Sequence, residues 1–174
     1  MKKQAYHRQG FSLIEIIVVI SILTVVLATG TSIFYTILKN TTKARIVAEV
    51  KQNGDFAISS MEREIRSSKN AEVIDLGLGL TITTLAGGEI TFNCVVGDEI
   101  NRLELGVPDQ SLTSRRVMPS NCTDAFFVTE GVEGSSADLV EIKFTLSQFG
   151  TSTRTEEATE INFNKTVSLR NYYY

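Results

Sequence analysis

Residues 1–23 read MKKQAYHRQGFSLIEIIVVISIL, and the feature that needs explaining is the carboxylate at Glu15. It lies four residues into an apolar run that carries no other charge until Lys39. An ionised side chain in such a run is costly, roughly 2.5–3.5 kcal/mol at the middle of a membrane and less near an end. The run from Phe11 to Leu38, as a helix at ~1.5 Å per residue, reaches about 42 Å, more than the ~30 Å hydrocarbon layer. Its small hydroxyls Ser21, Thr24, Thr29, Thr31 and Ser32 do not prevent this, because each can bond back to a carbonyl one turn earlier.

Working outward, residues 1–10 form a short basic leader with Lys2, Lys3 and Arg8 and no acid. Beyond Lys39 the pattern becomes amphipathic. Ile46, Val50, Ala57, Met61 and Ile65 recur at helical spacing, with Val47, Gly54 and Ile58 alongside, while Lys43, Glu49, Lys51, Glu62 and Arg66 occupy the other side. No proline separates this stripe from the apolar run. The sequence therefore predicts a single helix of roughly 55 residues, longer than one compact domain requires.

After Asn70 the texture changes to short β-branched runs punctuated by Gly, Asn and Asp. These predict strands at Val73–Leu76, Leu80–Leu85, Glu89–Val95, Arg102–Leu105, Phe126–Thr129, Leu139–Leu146 and Glu160–Leu169. LAGGEI around Gly87 and Gly88 has the chemistry of a hairpin turn. In DLVEIKFTL, Val140, Ile142, Phe144 and Leu146 alternate with Leu139, Glu141, Lys143 and Thr145, so one face is core and the other wet. GVEGSSAD and SQFGTSTRTEEATE read as exposed loops. The organisation is a leader at 1–10, an apolar half-helix at 11–38, an amphipathic half at 39–70 and a β-rich head at 71–174. The fold class is α+β.

Bulk properties narrow the function. The 174-residue chain has a net charge of −3, which gives no general nucleic-acid footprint. At 43% hydrophobic and 21% charged it is not disordered in bulk. The only histidine, His7, is in the leader, which removes the usual serine and cysteine triads and, with two cysteines alone, a structural zinc site. No catalytic constellation and no cofactor motif is visible. Asp98 with Glu99 and Glu156 with Glu157 read as solvated charges. Asp98 or Asp138 could serve a calcium loop, although no EF-hand spacing is present. The closing run Tyr172–Tyr174 reads either as a frayed end or as a sticky edge.

Three readings of the N-terminus compete. One is a secretory signal peptide cleaved at Ala28–Thr29–Gly30, against which the charge of Glu15 counts. A second is a plain signal anchor. The third rests on the basic leader ending in Gly10, then Phe11, then Glu15 four residues on, then uninterrupted apolar residues. This resembles the N-terminal signature of type IV prepilins and of the pseudopilins of type II secretion and competence systems. MEREIRSSKNAEV and VSLRN are also similar, over few residues, to J-class minor pseudopilins. The resemblance implies cutting by a prepilin peptidase between Gly10 and Phe11 and N-methylation of Phe11. It implies a pilin fold in which one long helix packs on an antiparallel sheet. Partners would be other pilin or pseudopilin subunits, an inner-membrane assembly platform and, before assembly, the lipid bilayer. The family's helix-kinking proline is missing, although Gly30 and Ser32 lie nearby.

Glu15 then has two explanations. Ser12 and Glu15 fit the S-x-x-E capping box, and the helix dipole favours an acid in the first turn. Alternatively, cutting after Gly10 frees an amine on Phe11, and Glu15 of one subunit pairs with the amine of a neighbour. An unpaired charge in an apolar bundle is costly, so that pair selects one axial offset. The family uses this glutamate for subunit recruitment, which makes Glu15 an assembly residue by resemblance.

Charge does not orient the chain, because Lys2, Lys3 and Arg8 face Lys39, Lys43, Arg45 and Lys51 across the apolar run. The leader motif and the two cysteines place the N-terminus inside the cytoplasmic membrane and the head outside, finally on a periplasmic or cell-surface fibre. There Cys94 and Cys122 are expected to form a disulfide closing a loop with Pro108, Pro119 and DQSLTSRR; two packed thiols are the alternative. The leading expectation is a non-enzymatic structural subunit, a minor pilin or pseudopilin. A membrane-anchored binding or adhesion module that forms no fibre is the alternative, and an exported hydrolase a poorer third.

Overall fold

In the computed structural model, residues 10–131, 138–149 and 159–169 are described. The leader cations, Glu156, Glu157, Tyr172–Tyr174 and most of the two expected long loops lie outside them. The chain divides into two compact units, Met1–Thr42 and Lys43–Tyr174. Helix α1, Leu13–Arg66, crosses that division as one element of 54 residues. It runs unbroken through Gly30 and Ser32. The hydroxyls of Ser21, Thr24, Thr31 and Thr36 donate to carbonyls four residues back at 2.6–3.0 Å. Thr29 and Ser32 bond back in the same manner. With its hydroxyls bonded internally, the apolar half presents a hydrocarbon exterior.

Within the second unit, Ile46, Val50, Gly54, Ala57, Met61 and Ile65 are the buried positions of α1. They are the stripe read from the sequence. They join one core with Leu80, Ile82, Ile90 and Phe92 from one sheet and Val140, Ile142, Phe144, Leu146 and Val167 from another.

The first sheet is a meander in the order β1 (Ser68–Ile74), β2 (Gly79–Thr84), β3 (Glu89–Asn93), β4 (Asn101–Glu104), β5 (Val107–Ser111). The β2–β3 turn falls on the expected glycines, with Gly87 at φ +85° and its amide donating to the Thr84 carbonyl at 3.0 Å. The second sheet is organised by β8 (Leu139–Gln148). It pairs β6 (Val117–Asn121) and β7 (Phe126–Thr129) over different halves, and β9 (Glu160–Ser168) along most of its length. β8 alternates as its sequence requires, with Val140, Ile142, Phe144 and Leu146 inside. This is a pilin-like α+β architecture: one long helix with an apolar N-terminal half, packed through its second half against antiparallel sheets.

Three expectations need correction. The region with Pro108 and Pro119 is not a loop, since each proline sits inside a strand, β5 and β6. β5 is an edge strand, where a missing amide costs nothing, and the β6–β8 register shifts between Pro119 and Asn121. Second, the first strand runs over Ser68–Ile74, not Val73–Leu76, because the backbone turns left-handed at Asp75 and Leu76 (φ 51° and 54°). Third, Cys94 falls just after β3, not within it.

Candidate functional site

The N-terminal site starts at Gly10 and Phe11, both exposed and both ahead of the first helical residue, Leu13. No atom lies within 4 Å of where a side chain on Gly10 would begin, so the backbone there is open on that side. An exposed peptide next to a glycine leaves a protease room to approach the backbone. The helix opens when the Ser12 carbonyl accepts from the amides of Glu15 (3.1 Å) and Ile16 (3.3 Å). The capping-box side-chain bonds are not among those formed by the described residues. Glu15 is exposed in the first turn, where the positive end of the helix dipole favours an acid.

Behind Glu15, α1 contains an 18-residue window of mean hydropathy 2.6, none of it buried inside the protein. It is long and apolar enough to cross a membrane. Ile16, Val19, Ile22, Leu23 and Val26 are all exposed, and a contiguous apolar surface of this kind calls for lipid or other helices around it.

The head is stiffened at three places. Cys94 and Cys122 form a disulfide, Cα–Cα 5.8 Å apart, with both residues fully buried. It fastens the residue after β3 to the residue after β6 and so joins the two sheets. The closed stretch contains β4, β5 and β6. Arg102 on β4 is the second tie. Its Nε donates to both carboxylate oxygens of Glu64 at 3.0 Å, and its Nη2 donates to Glu104 at 2.6 Å. Burial by itself would lower the Arg102 pKa; the hydrogen bonds and charges of Glu104 and Glu64 outweigh it and raise the value. Third, Asn53 of α1 donates to the Glu49 carbonyl at 2.8 Å and accepts from the Ser114 amide at 2.8 Å.

Of the residues expected from the sequence, the structure joins Cys94 to Cys122 and places Gly10, Phe11 and Glu15 exposed at the start of α1. Sequence reading misses Arg102, Glu64 and Asn53, whose partners lie 38 and 61 residues away. A lone arginine in a half-buried strand was the available signal. Of the acids considered for calcium, Asp138 accepts from the Gly131 amide at 2.7 Å, and Asp98 lies exposed after Gly97. Among the described residues no group of three His, Cys, Asp or Glu could hold a metal ion.

An exposed glycine ahead of the helix, an acid in the first helical turn and a membrane-length helix continuing into a β-rich head have the layout of a prepilin-like chain. Comparison with protein families agrees: residues 6–31 match the family described as the prokaryotic N-terminal methylation motif, the signal of type IV pilins and pseudopilins. No curated protein and no solved structure matches the chain.

Proposed function

We propose that this chain is a structural subunit, a pilin or pseudopilin, of a type IV pilus or type II secretion-like fibre. Prepilin peptidase cuts it between Gly10 and Phe11 and the new amine of Phe11 is methylated. The mature chain waits in the cytoplasmic membrane with its N-terminus inside and its head outside. An inner-membrane platform then transfers it to the fibre, where Glu15 meets the amine of a neighbouring subunit. The observation that carries this reading is the matched motif leading without a break into α1. Lipid covers the apolar half before assembly, and the α1 segments of neighbouring subunits cover it afterwards.

Mass spectrometry of the mature N-terminus tests the proposal. A chain beginning with methylated Phe11 is expected in the membrane fraction and in sheared fibres. A chain beginning at Thr31 would mean a conventional signal peptide and would end the fibre reading. A chain that starts at Phe11 yet never appears in sheared material would favour the anchored binding module instead.

A further inference from the structure

Asn53 and Gly54 form the only Asn–Gly pair in the chain, and they lie inside α1. In an open backbone this dipeptide is chemically unstable. The glycine nitrogen gives up its proton and attacks the asparagine Cγ; the bond from Cγ to Nδ2 breaks and ammonia leaves. The product is a five-membered succinimide. Water then opens the ring at one carbonyl to give aspartate, or at the other to give isoaspartate. Glycine favours the closure because it has no Cβ to crowd the approach.

Folding withholds both reacting groups. As an interior residue of α1, Gly54 has its amide proton in a hydrogen bond to the carbonyl four residues back, and helical dihedrals hold it there. The Asn53 side chain is fixed at both ends. Its Nδ2 donates to the Glu49 carbonyl at 2.8 Å, and its Oδ1 accepts from the Ser114 amide at 2.8 Å. Ser114 lies in the connection between β5 and β6, so this second bond is lost whenever that connection leaves the helix. Gly54 is itself buried, with the Phe163 ring where its side chain would begin. All of these restraints require a closed head.

We propose that Asn53 is a latent modification site, protected in the folded head and converted to isoaspartate when α1 opens from the sheets. An isoaspartyl linkage runs through the former side chain and adds one main-chain carbon immediately before Gly54. Helix and β9 approach too closely there for even a Cβ. An extra backbone atom at that point interrupts the hydrogen-bond ladder of α1 and shifts Ala57, Met61 and Ile65 away from their core partners. Opening is then reversible only until conversion, after which the chain cannot rebuild its core. The aspartate product is milder, since it keeps the backbone length and the acceptor for Ser114 and loses only the bond to Glu49. The inference concerns the head alone and does not depend on the fibre reading.

The test incubates the full-length chain in detergent, disulfide intact, in mildly alkaline buffer with and without denaturant. Peptide mass spectrometry follows residue 53, and electron-transfer fragmentation separates isoaspartate from aspartate. Conversion should be at least about tenfold slower without denaturant, because the native chain reacts only through rare openings. In denaturant Asn53 should convert ahead of every other asparagine, Asn70 and Asn101 included. Arg102→Ala, which loosens β4 from α1, should speed conversion without denaturant and leave the rate in denaturant unchanged. Once denaturant is removed, isoaspartyl chains should fall short of the wild-type thermal midpoint, whereas Asn53→Asp should regain most of it. Asn53→Gln closes the larger six-membered ring far more slowly, so its recovery, compared with its own starting value, should not decline with incubation.

Equal rates with and without denaturant overturn the protection. Earlier conversion of another asparagine in denaturant overturns the choice of site. Isoaspartyl chains that refold to the wild-type midpoint overturn the consequence for the core.

Discussion

The ring of Phe163 on β9 occupies the space that a side chain at residue 54 of α1 would need. Gly54 falls on the buried stripe, and its missing Cβ lets sheet and helix approach closely there. Phe163 also stacks on Phe144, ring centroids 5.4 Å apart, so it cannot move aside without disturbing β8. Gly54→Ala gains ~1 kcal/mol of helix propensity but overpacks this contact at about 1–3 kcal/mol. Net destabilisation is expected, read as a lower thermal midpoint of the full chain in detergent. In a Phe163→Leu background the cost of Gly54→Ala should shrink. An equal cost in both backgrounds would show that the ring is not what requires glycine.

Arg102 should resist conservative replacement. Its side chain is 12% exposed and that of Glu64 19% exposed, so both charges are largely removed from water. Arg102→Lys keeps the charge but loses the two-pronged contact, and Arg102→Ala leaves a half-buried carboxylate without its partner. We expect losses of about 1 kcal/mol for Lys and about 3 kcal/mol for Ala by denaturant unfolding. Because the pKa of Arg102 is raised on folding, its contribution is complete below the ordinary arginine value and is lost only as pH climbs through the higher folded value. The difference between wild type and Arg102→Ala that comes from this arginine's titration should therefore stay flat from about pH 6 to pH 9.

Leu76 offers a stabilising change. Its backbone is left-handed (φ 54°, ψ 39°), and its side chain is 98% exposed, so it gives the folded head no core contact. A leucine in that conformation costs roughly 1–2 kcal/mol, which glycine avoids and asparagine reduces. Leu76→Asn should raise the thermal midpoint by a few degrees, about the shift expected for 1 kcal/mol in a chain of this size. A lower midpoint would mean that the leucine packs against something in the folded chain.

The disulfide should matter greatly to a head of this size. Closing a loop of 28 residues constrains the unfolded chain, and chain-entropy models put the gain at roughly 3–4 kcal/mol. Replacing both Cys94 and Cys122 by alanine should lower stability by that order and reduce recovery of the head after proteolysis. Thiol labelling of denatured, unreduced wild type should find no reactive cysteine. Two labelled thiols per chain would refute the bridge.

Local pattern carried much of the architecture, and distance hid the rest. The stripe Ile46–Val50–Ala57–Met61–Ile65 and the alternation of β8 are periodic signals, and the structure follows both. β5 and β6 fall in the stretch with Pro108 and Pro119 that was expected to be a loop. A proline breaks a strand only where its amide is needed, and neighbouring strands decide that. Arg102 with Glu64 and Gly54 with Phe163 were invisible for the same reason: each requires knowing which segments meet. The N-terminal motif was legible because it is written in consecutive residues and needs no knowledge of which segments meet.

Glu15 is the residue on which assembly should turn. It sits exposed in the first turn of α1, where the helix dipole favours it, and the Ser12 contacts found there are backbone ones. A role confined to capping would show as a helix-stability effect of about 1 kcal/mol or less, too small to stop membrane insertion. Removing a charge from an apolar segment makes insertion easier. Glu15→Ala should therefore reach the membrane at normal levels and be cut after Gly10 at the normal rate. In the fibre, however, each neighbouring amine would lose its counter-charge in an apolar surrounding, and the axial offset that the pair rewards would lose its advantage. Sheared fibres from cells expressing Glu15→Ala should contain little of this chain, while Glu15→Asp, with a shorter reach to the same charge, should recover part of it. If Glu15→Ala is found in fibres at the wild-type level, the acid serves the helix start alone and the intersubunit pairing is wrong.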